Sequence, residues 1–155
     1  MRAHLIAAAI LAVTALPEIA QADTFGVHLF SRHESATHEL TRPDGTTYRE
    51  NYNNRNFGAY FIADSGLTLG AYRNSYGFNT AYAGWTWQGP TFGPLQPAVT
   101  TVLATGYRRV HGVGVLRPML LPSVRLEGPA GVSLRYFIGP AKGGVFQHIA
   151  IERSF

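Results

Sequence analysis

The chain has 155 residues, no cysteine, and a net charge of +4 to which Lys142 contributes the only lysine. That length suits a single domain, and the lack of cysteine excludes a disulfide-stapled secreted module. With 14% charged residues, 17 glycines and 8 tyrosines, the composition suits strands that face an apolar surround and keep polar groups inside or at their ends.

Residues 1–22 read as a secretory signal. Arg2 supplies the positive start, Leu5 to Leu16 the short apolar run, and Ala20-Gln21-Ala22 a small-x-small cleavage site. The apolar run falls well short of the ~20 residues of a membrane-spanning helix, which disfavours an anchor, and no later segment is long enough either. The folded domain is therefore residues 23–155. Export argues against a nucleic-acid partner for the basic charge and favours a phosphate-bearing membrane surface.

From Asp23 onward eight runs read as strands and none as a helix: Thr24 to His33, Asn56 to Ala63, Leu67 to Asn74, Thr80 to Trp87, Ala98 to Gly106, Val115 to Leu126, Val132 to Ile138 and Val145 to Ser154. The stretch Gly66 to Trp87 sets the pattern. Leu67, Leu69 and Ala71 share one face opposite Thr68, Gly70 and Tyr72; Ala81, Ala83, Trp85 and Trp87 share one opposite Tyr82, Gly84 and Thr86. In the last run Val145, Ile149 and Ile151 oppose His148, Glu152 and Ser154. Apolar-out, polar-in alternation over strands near ~9 to 11 residues, with a terminal Phe155, is the pattern of an eight-stranded antiparallel up-and-down outer-membrane β-barrel. A soluble sandwich or lipocalin-like barrel is the alternative; the paired tryptophans near a strand end and the polar second face argue against it.

With both termini in the periplasm, the odd-numbered connections face outward. The first, about Glu34 to Arg55, is long and carries Arg42, Arg49 and Arg55; the third begins at Ser75; the fifth holds Arg108, Arg109 and His111; the seventh holds Lys142. Positive charge thus gathers on the rim where lipopolysaccharide presents phosphates. Asp64-Ser65-Gly66 reads as an ordinary turn at the opposite end.

Three histidines, His28, His33 and His38, cluster at the first strand and its loop. His28 and His33 are an odd number of residues apart, so regular alternation points them to opposite faces, and no Asp, Glu or Cys cluster completes a zinc site; neither metal nor cofactor is expected. A serine, Ser75, and a histidine, His33, on one rim are the parts acyl transfer requires, although Asn74, Ser75 and Gly77 are also turn formers. Pro118, Pro122 and Pro140 remove backbone donors and mark either strand ends and bulges or a weak seam that admits a lipid tail sideways.

Leu116 to Pro140 (LRPMLLPSVRLEGPAGVSLRYFIGP), with Tyr52-Asn53-Asn54-Arg55, Phe57-Gly58 and Tyr82-Ala83-Gly84-Trp85, resembles the outer-membrane lipid A palmitoyltransferase family. The resemblance implies a monomeric barrel holding one acyl chain and moving it from a phospholipid to lipid A in the outer membrane of a Gram-negative bacterium. It implies His33, with His28 as second choice, for the family's histidine, Ser75 for its serine, and Asn74 where the family has aspartate. Arg42, Arg49, Arg108 and Arg109 would hold lipid phosphates, and Pro122 and Pro140 would mark lateral access. Asparagine lacks the charge that orients a histidinium; either Glu34 or Asp44 compensates as a substitute carboxylate, or the chain is a catalytically silent small barrel that binds lipid or masks the cell surface.

Overall fold

In a computed structural model the described residues are 23–35, 37–42, 44–107, 116–141 and 144–155. The expected leader over residues 1–22, and Arg108, Arg109, His111 and Lys142, lie outside them. The described residues form ten strands: β1 (Thr24–His33), β2 (Thr37–Thr41), β3 (Thr47–Asn51), β4 (Arg55–Ile62), β5 (Leu67–Arg73), β6 (Asn79–Gln88), β7 (Leu95–Ala104), β8 (Arg117–Glu127), β9 (Val132–Ala141) and β10 (Gly144–Ser154). The described residues hold no α-helix, only a 3₁₀ turn at Pro129–Gly131.

Eight of the strands close into an antiparallel barrel in the order β1-β10-β9-β8-β7-β6-β5-β4. Closure removes the unpaired edges that an open sheet would leave. The sequence-based strands coincide with these eight to within a few residues at each end. The first outer connection differs: part of it folds as a separate hairpin, β2 paired with β3 from Thr37↔Asn51 to Thr41↔Thr47. Its tip turns at Gly45, whose φ of 85° only glycine adopts without strain.

The barrel is inside-out compared with a water-soluble one. Along β5 and β6 the residues facing the lumen are Thr68, Gly70, Tyr72, Thr80, Tyr82, Gly84 and Thr86, while Leu67, Leu69, Trp85 and Trp87 are exposed. Leu69 keeps 48% of its surface accessible and Thr68 only 2%, the reverse of what water would select. Large side chains inside need small neighbours. A Cβ on Gly26 would collide with the Tyr60 ring, and one on Gly70 with the Tyr82 ring, so these two glycines let two tyrosines cross the lumen.

The end of the barrel that carries Asp23 and Phe155 holds a charged floor. Glu152 Oε1 accepts hydrogen bonds from the Tyr60 hydroxyl (2.7 Å) and Arg135 Nε (2.5 Å), and Arg125 Nε lies 3.5 Å from Glu152 Oε2. Arg125 also donates to Ser133 and Ser154. Tyr60, Ile62, Phe137 and Ala150 pack as a small apolar cluster at the same end. Asp64-Ser65-Gly66 forms the turn expected there, with Gly66 at φ 96° and its amide donating to Ala63.

Candidate functional site

The site begins with an irregularity in β1. His28 pairs with Ala150 of β10, but the next pair is Phe30 with Ile149, so Leu29 is an unpaired extra residue. Such a bulge shifts the alternation by one. His28, Ser31 and His33 consequently all line the same lumen, which corrects the expectation that His28 and His33 face opposite ways. Even so, the described residues contain no group of three or more His, Asp, Glu or Cys arranged to hold a metal ion.

The lumen is a cavity enclosing about 1040 Å³ of space not filled by atoms, its mouth included, and its walls carry His33, Ser75, Ser31, Asn56 and Arg117 as well as apolar Val102, Met119, Leu121 and Phe137. Thus His33 and Ser75 do share one cavity. No hydrogen bond joins them. Ser31 donates to Asn56 Oδ1 (2.5 Å) and lies 3.0 Å from Ser75 Oγ. With its single proton already given to Asn56, Ser31 accepts from Ser75, so the Ser75 proton is directed at Ser31. Asn56 and Ser31 are thereby part of the rim site. No motif marks them, because their contact depends on where β4 and β5 lie beside β1.

His33 stacks face to face on Tyr52, ring centroids 3.8 Å apart, and His38 packs on the same tyrosine at 4.6 Å and edge-on against Tyr76 at 4.6 Å. Both ring nitrogens of both histidines are buried without a hydrogen-bond partner among the described residues. Burial holds the His38 imidazole below its usual range, partly offset by Glu50, and burial with the neighbouring Tyr76 pushes the Tyr52 hydroxyl up to about 12. These rings pack the hairpin β2–β3 against the barrel mouth. Stacking fixes both imidazoles and leaves their ring nitrogens without a hydrogen bond among the described residues.

Asn74 sits elsewhere. Its side chain is wholly buried and fully used: Oδ1 accepts from the amides of Tyr76 and Phe78, both at 3.0 Å, and Nδ2 donates to Thr80 Oγ1 (3.0 Å) and Gly106 O (3.2 Å). It builds the turn that presents Ser75 and does not line the cavity. The two candidate substitute carboxylates are likewise occupied. Glu34 Oε2 accepts from the Val145 amide at 3.0 Å, and Asp44 Oδ1 accepts from the Thr46 amide and hydroxyl, which holds Asp44 below its usual range.

Arg42 and Arg49 stand exposed on the hairpin, Arg42 over the Tyr48 ring at 4.5 Å and Arg49 opposite Glu39. Arg117, which the sequence did not single out, lines the mouth with its guanidinium 5.2 Å from the Tyr107 ring centroid. Below it, β8 pairs with β9 only from Ser123↔Phe137 to Glu127↔Ser133. From Arg117 to Pro122 on one side and Ile138 to Ala141 on the other no ladder joins the two strands. Pro118 and Pro122, which lack amide donors, lie in that unpaired stretch, and Pro140 stands on its far side. Each neighbour is paired outward, β8 with β7 and β9 with β10; a shorter gap lies between β4 and β5, whose ladder ends at Gly58↔Tyr72 and leaves Arg55 to Phe57 unpaired on that side.

No protein-family model matches the chain, and no curated protein has a significantly similar sequence.

Proposed function

We propose that this protein is an exported outer-membrane barrel that moves an acyl chain from a phospholipid to lipid A. Strands of 7 to 11 residues with an exposed apolar face suit the hydrocarbon thickness. The observation that carries the reading is the shared cavity: His33, unbonded at both nitrogens, and Ser75 line a lumen with apolar walls, and the ladder between β8 and β9 stops short in the half that carries them.

In this mechanism a phospholipid enters its acyl chain through the seam. His33 takes the proton of a lipid A hydroxyl as that oxygen attacks the ester carbonyl. The tetrahedral intermediate then expels the glycerol oxygen, which recovers the proton from His33; one ester is broken, one is formed, and a lysophospholipid leaves. Ser75 turns its proton from Ser31 to the carbonyl oxygen as charge develops there. Arg42, Arg49 and Arg117, with Arg108 and Arg109, hold phosphates.

Mass spectrometry of lipid A from a host without such an enzyme tests the reading: an added acyl chain is expected on expression, and unchanged lipid A beside abundant folded barrel would refute it. The sealed state of Asn74 favours a second reading, a barrel that binds lipid without turnover, since no described carboxylate bonds His33. Unchanged lipid A with stoichiometric bound acyl chain is its signature.

A further inference from the structure

Between rim and floor, three side chains form a bar across the lumen. The Tyr82 hydroxyl lies 2.8 Å from His28 Nε2, and His28 Nδ1 lies 2.8 Å from His148 Nε2. Since β5 and β4 separate β6 from β1 in the barrel order, Tyr82 reaches His28 across the interior and not along the wall. The glycine at position 70 makes that reach possible. All three side chains line the cavity, with Phe137, Leu121 and Val102 on the same walls.

The protons of this bar can be placed in two ways. If Tyr82 donates to His28, and His28 to His148, then His148 Nδ1–H is an unfilled donor and the Tyr82 oxygen an unfilled acceptor. If the direction runs from His148 through His28 to Tyr82, the Tyr82 O–H becomes the unfilled donor and His148 Nδ1 the unfilled acceptor. No group among the described residues bonds His148 Nδ1, and the Tyr82 hydroxyl bonds only His28. In either arrangement the cavity is offered one donor and one acceptor amid apolar walls. At a given end a carboxylate pairs only a donor and an ammonium only an acceptor, and a methylene pairs neither. A hydroxyl, at once donor and acceptor, answers both arrangements.

We infer that the lumen recognises acyl chains carrying a hydroxyl group, held by the Tyr82–His28–His148 bar. This rests on the reading above that an acyl chain occupies the lumen, and it adds the chain's chemistry. A plain chain lodged against the bar leaves both ends unpaired, whereas a hydroxylated chain pairs the end that its hydroxyl reaches; the difference is on the order of tenfold in affinity.

The test is direct binding to the mature chain refolded in detergent micelles. Hexadecanoic acid is compared with hydroxyhexadecanoic acids that carry the hydroxyl at successive positions, each as the free acid and as its lysophospholipid ester. One hydroxyl position is expected to bind about tenfold more tightly than the plain chain and to shift the ¹⁵N resonance of His148 Nδ1. Tyr82→Phe, which keeps the ring over Gly70, is expected to bring the two affinities together. Tighter binding of the ester assigns the hydroxylated chain to a lipid donor, and tighter binding of the acid to a free fatty acid. Equal affinity at every position, or a preference that survives in Tyr82→Phe without a His148 shift, overturns the inference. Failure of every chain to bind overturns the acyl-filled lumen itself; a hydroxyl preference without lipid A acylation upholds the inference and removes only the transfer step.

Discussion

The floor and the rim of the barrel both bury polar side chains, yet they do so to opposite ends. At the floor two guanidiniums surround one carboxylate, and Tyr60, Ser123, Ser133 and Ser154 take up further bonds, leaving Arg135 Nη2 and Glu152 Oε2 buried without a hydrogen bond among the described residues. At the rim four imidazole nitrogens of His33 and His38 are buried and unbonded. Buried polar groups ordinarily find partners because leaving them bare costs about 1–3 kcal/mol each. The floor meets that rule in most of its atoms and balances the rest by opposite charge, linking β4, β8, β9 and β10. The rim breaks it, and unsatisfied groups held in place by stacking are the sort expected where a ligand completes the set.

If this division is right, the two regions respond differently to substitution. The largest effect on stability is expected from Glu152→Ala, which leaves Arg125 and Arg135 buried without a counter-charge; breaking such a cluster costs about 3–5 kcal/mol, read as the urea midpoint in detergent micelles. A midpoint near wild type would show that the floor does not hold the barrel. His33→Ala is expected to cut lipid A acylation by roughly 10²- to 10⁴-fold while lowering stability by no more than about 1 kcal/mol, the worth of its stack on Tyr52; comparable losses of both would make the rim structural.

A smaller effect follows from the turn that presents Ser75. Asn74→Asp replaces two donated hydrogen bonds, to Thr80 and Gly106, by a carboxylate oxygen facing other oxygens. We expect a loss of about 1–3 kcal/mol and no gain in acyl transfer, whereas a gain would mean that position 74 reaches the reacting groups.

The smallest effect concerns pH. His38 in the folded protein has a lowered affinity for protons because it is buried, so the state with the hairpin undocked binds a proton more readily. Docking of β2–β3 is therefore at full strength above the ordinary imidazole value of 6.5 and weakens as pH falls below it. Limited proteolysis of the hairpin should speed up at pH 5 relative to pH 7.5, and His38→Phe should flatten that dependence.

Much of the barrel was legible residue by residue. The alternation of Leu67, Leu69 and Ala71 with Thr68, Gly70 and Tyr72 specified both a strand and which face meets the lumen, since that period is a property of extended backbone alone. The turn at Asp64-Ser65-Gly66 was legible for the same local reason. The hairpin β2–β3 was not, because its polar, exposed strands lack an apolar face to mark them. The candidate site was legible only as a list of residue types. Ser75 and His33 share a cavity as the pattern suggested, but Asn74, placed beside them in sequence, spends its side chain on the turn.

By itself, then, the amino-acid sequence determined eight strands and their greasy and polar faces, which depend on neighbours two residues apart. Only the closed structure decided that the extra residue at Leu29 rotates His33 into the lumen, that Ser31 and Asn56 stand behind Ser75, and that Tyr82 crosses to His28. Those meetings join strands up to 120 residues apart, and their geometry is set by ladder register and barrel closure, which no local period encodes.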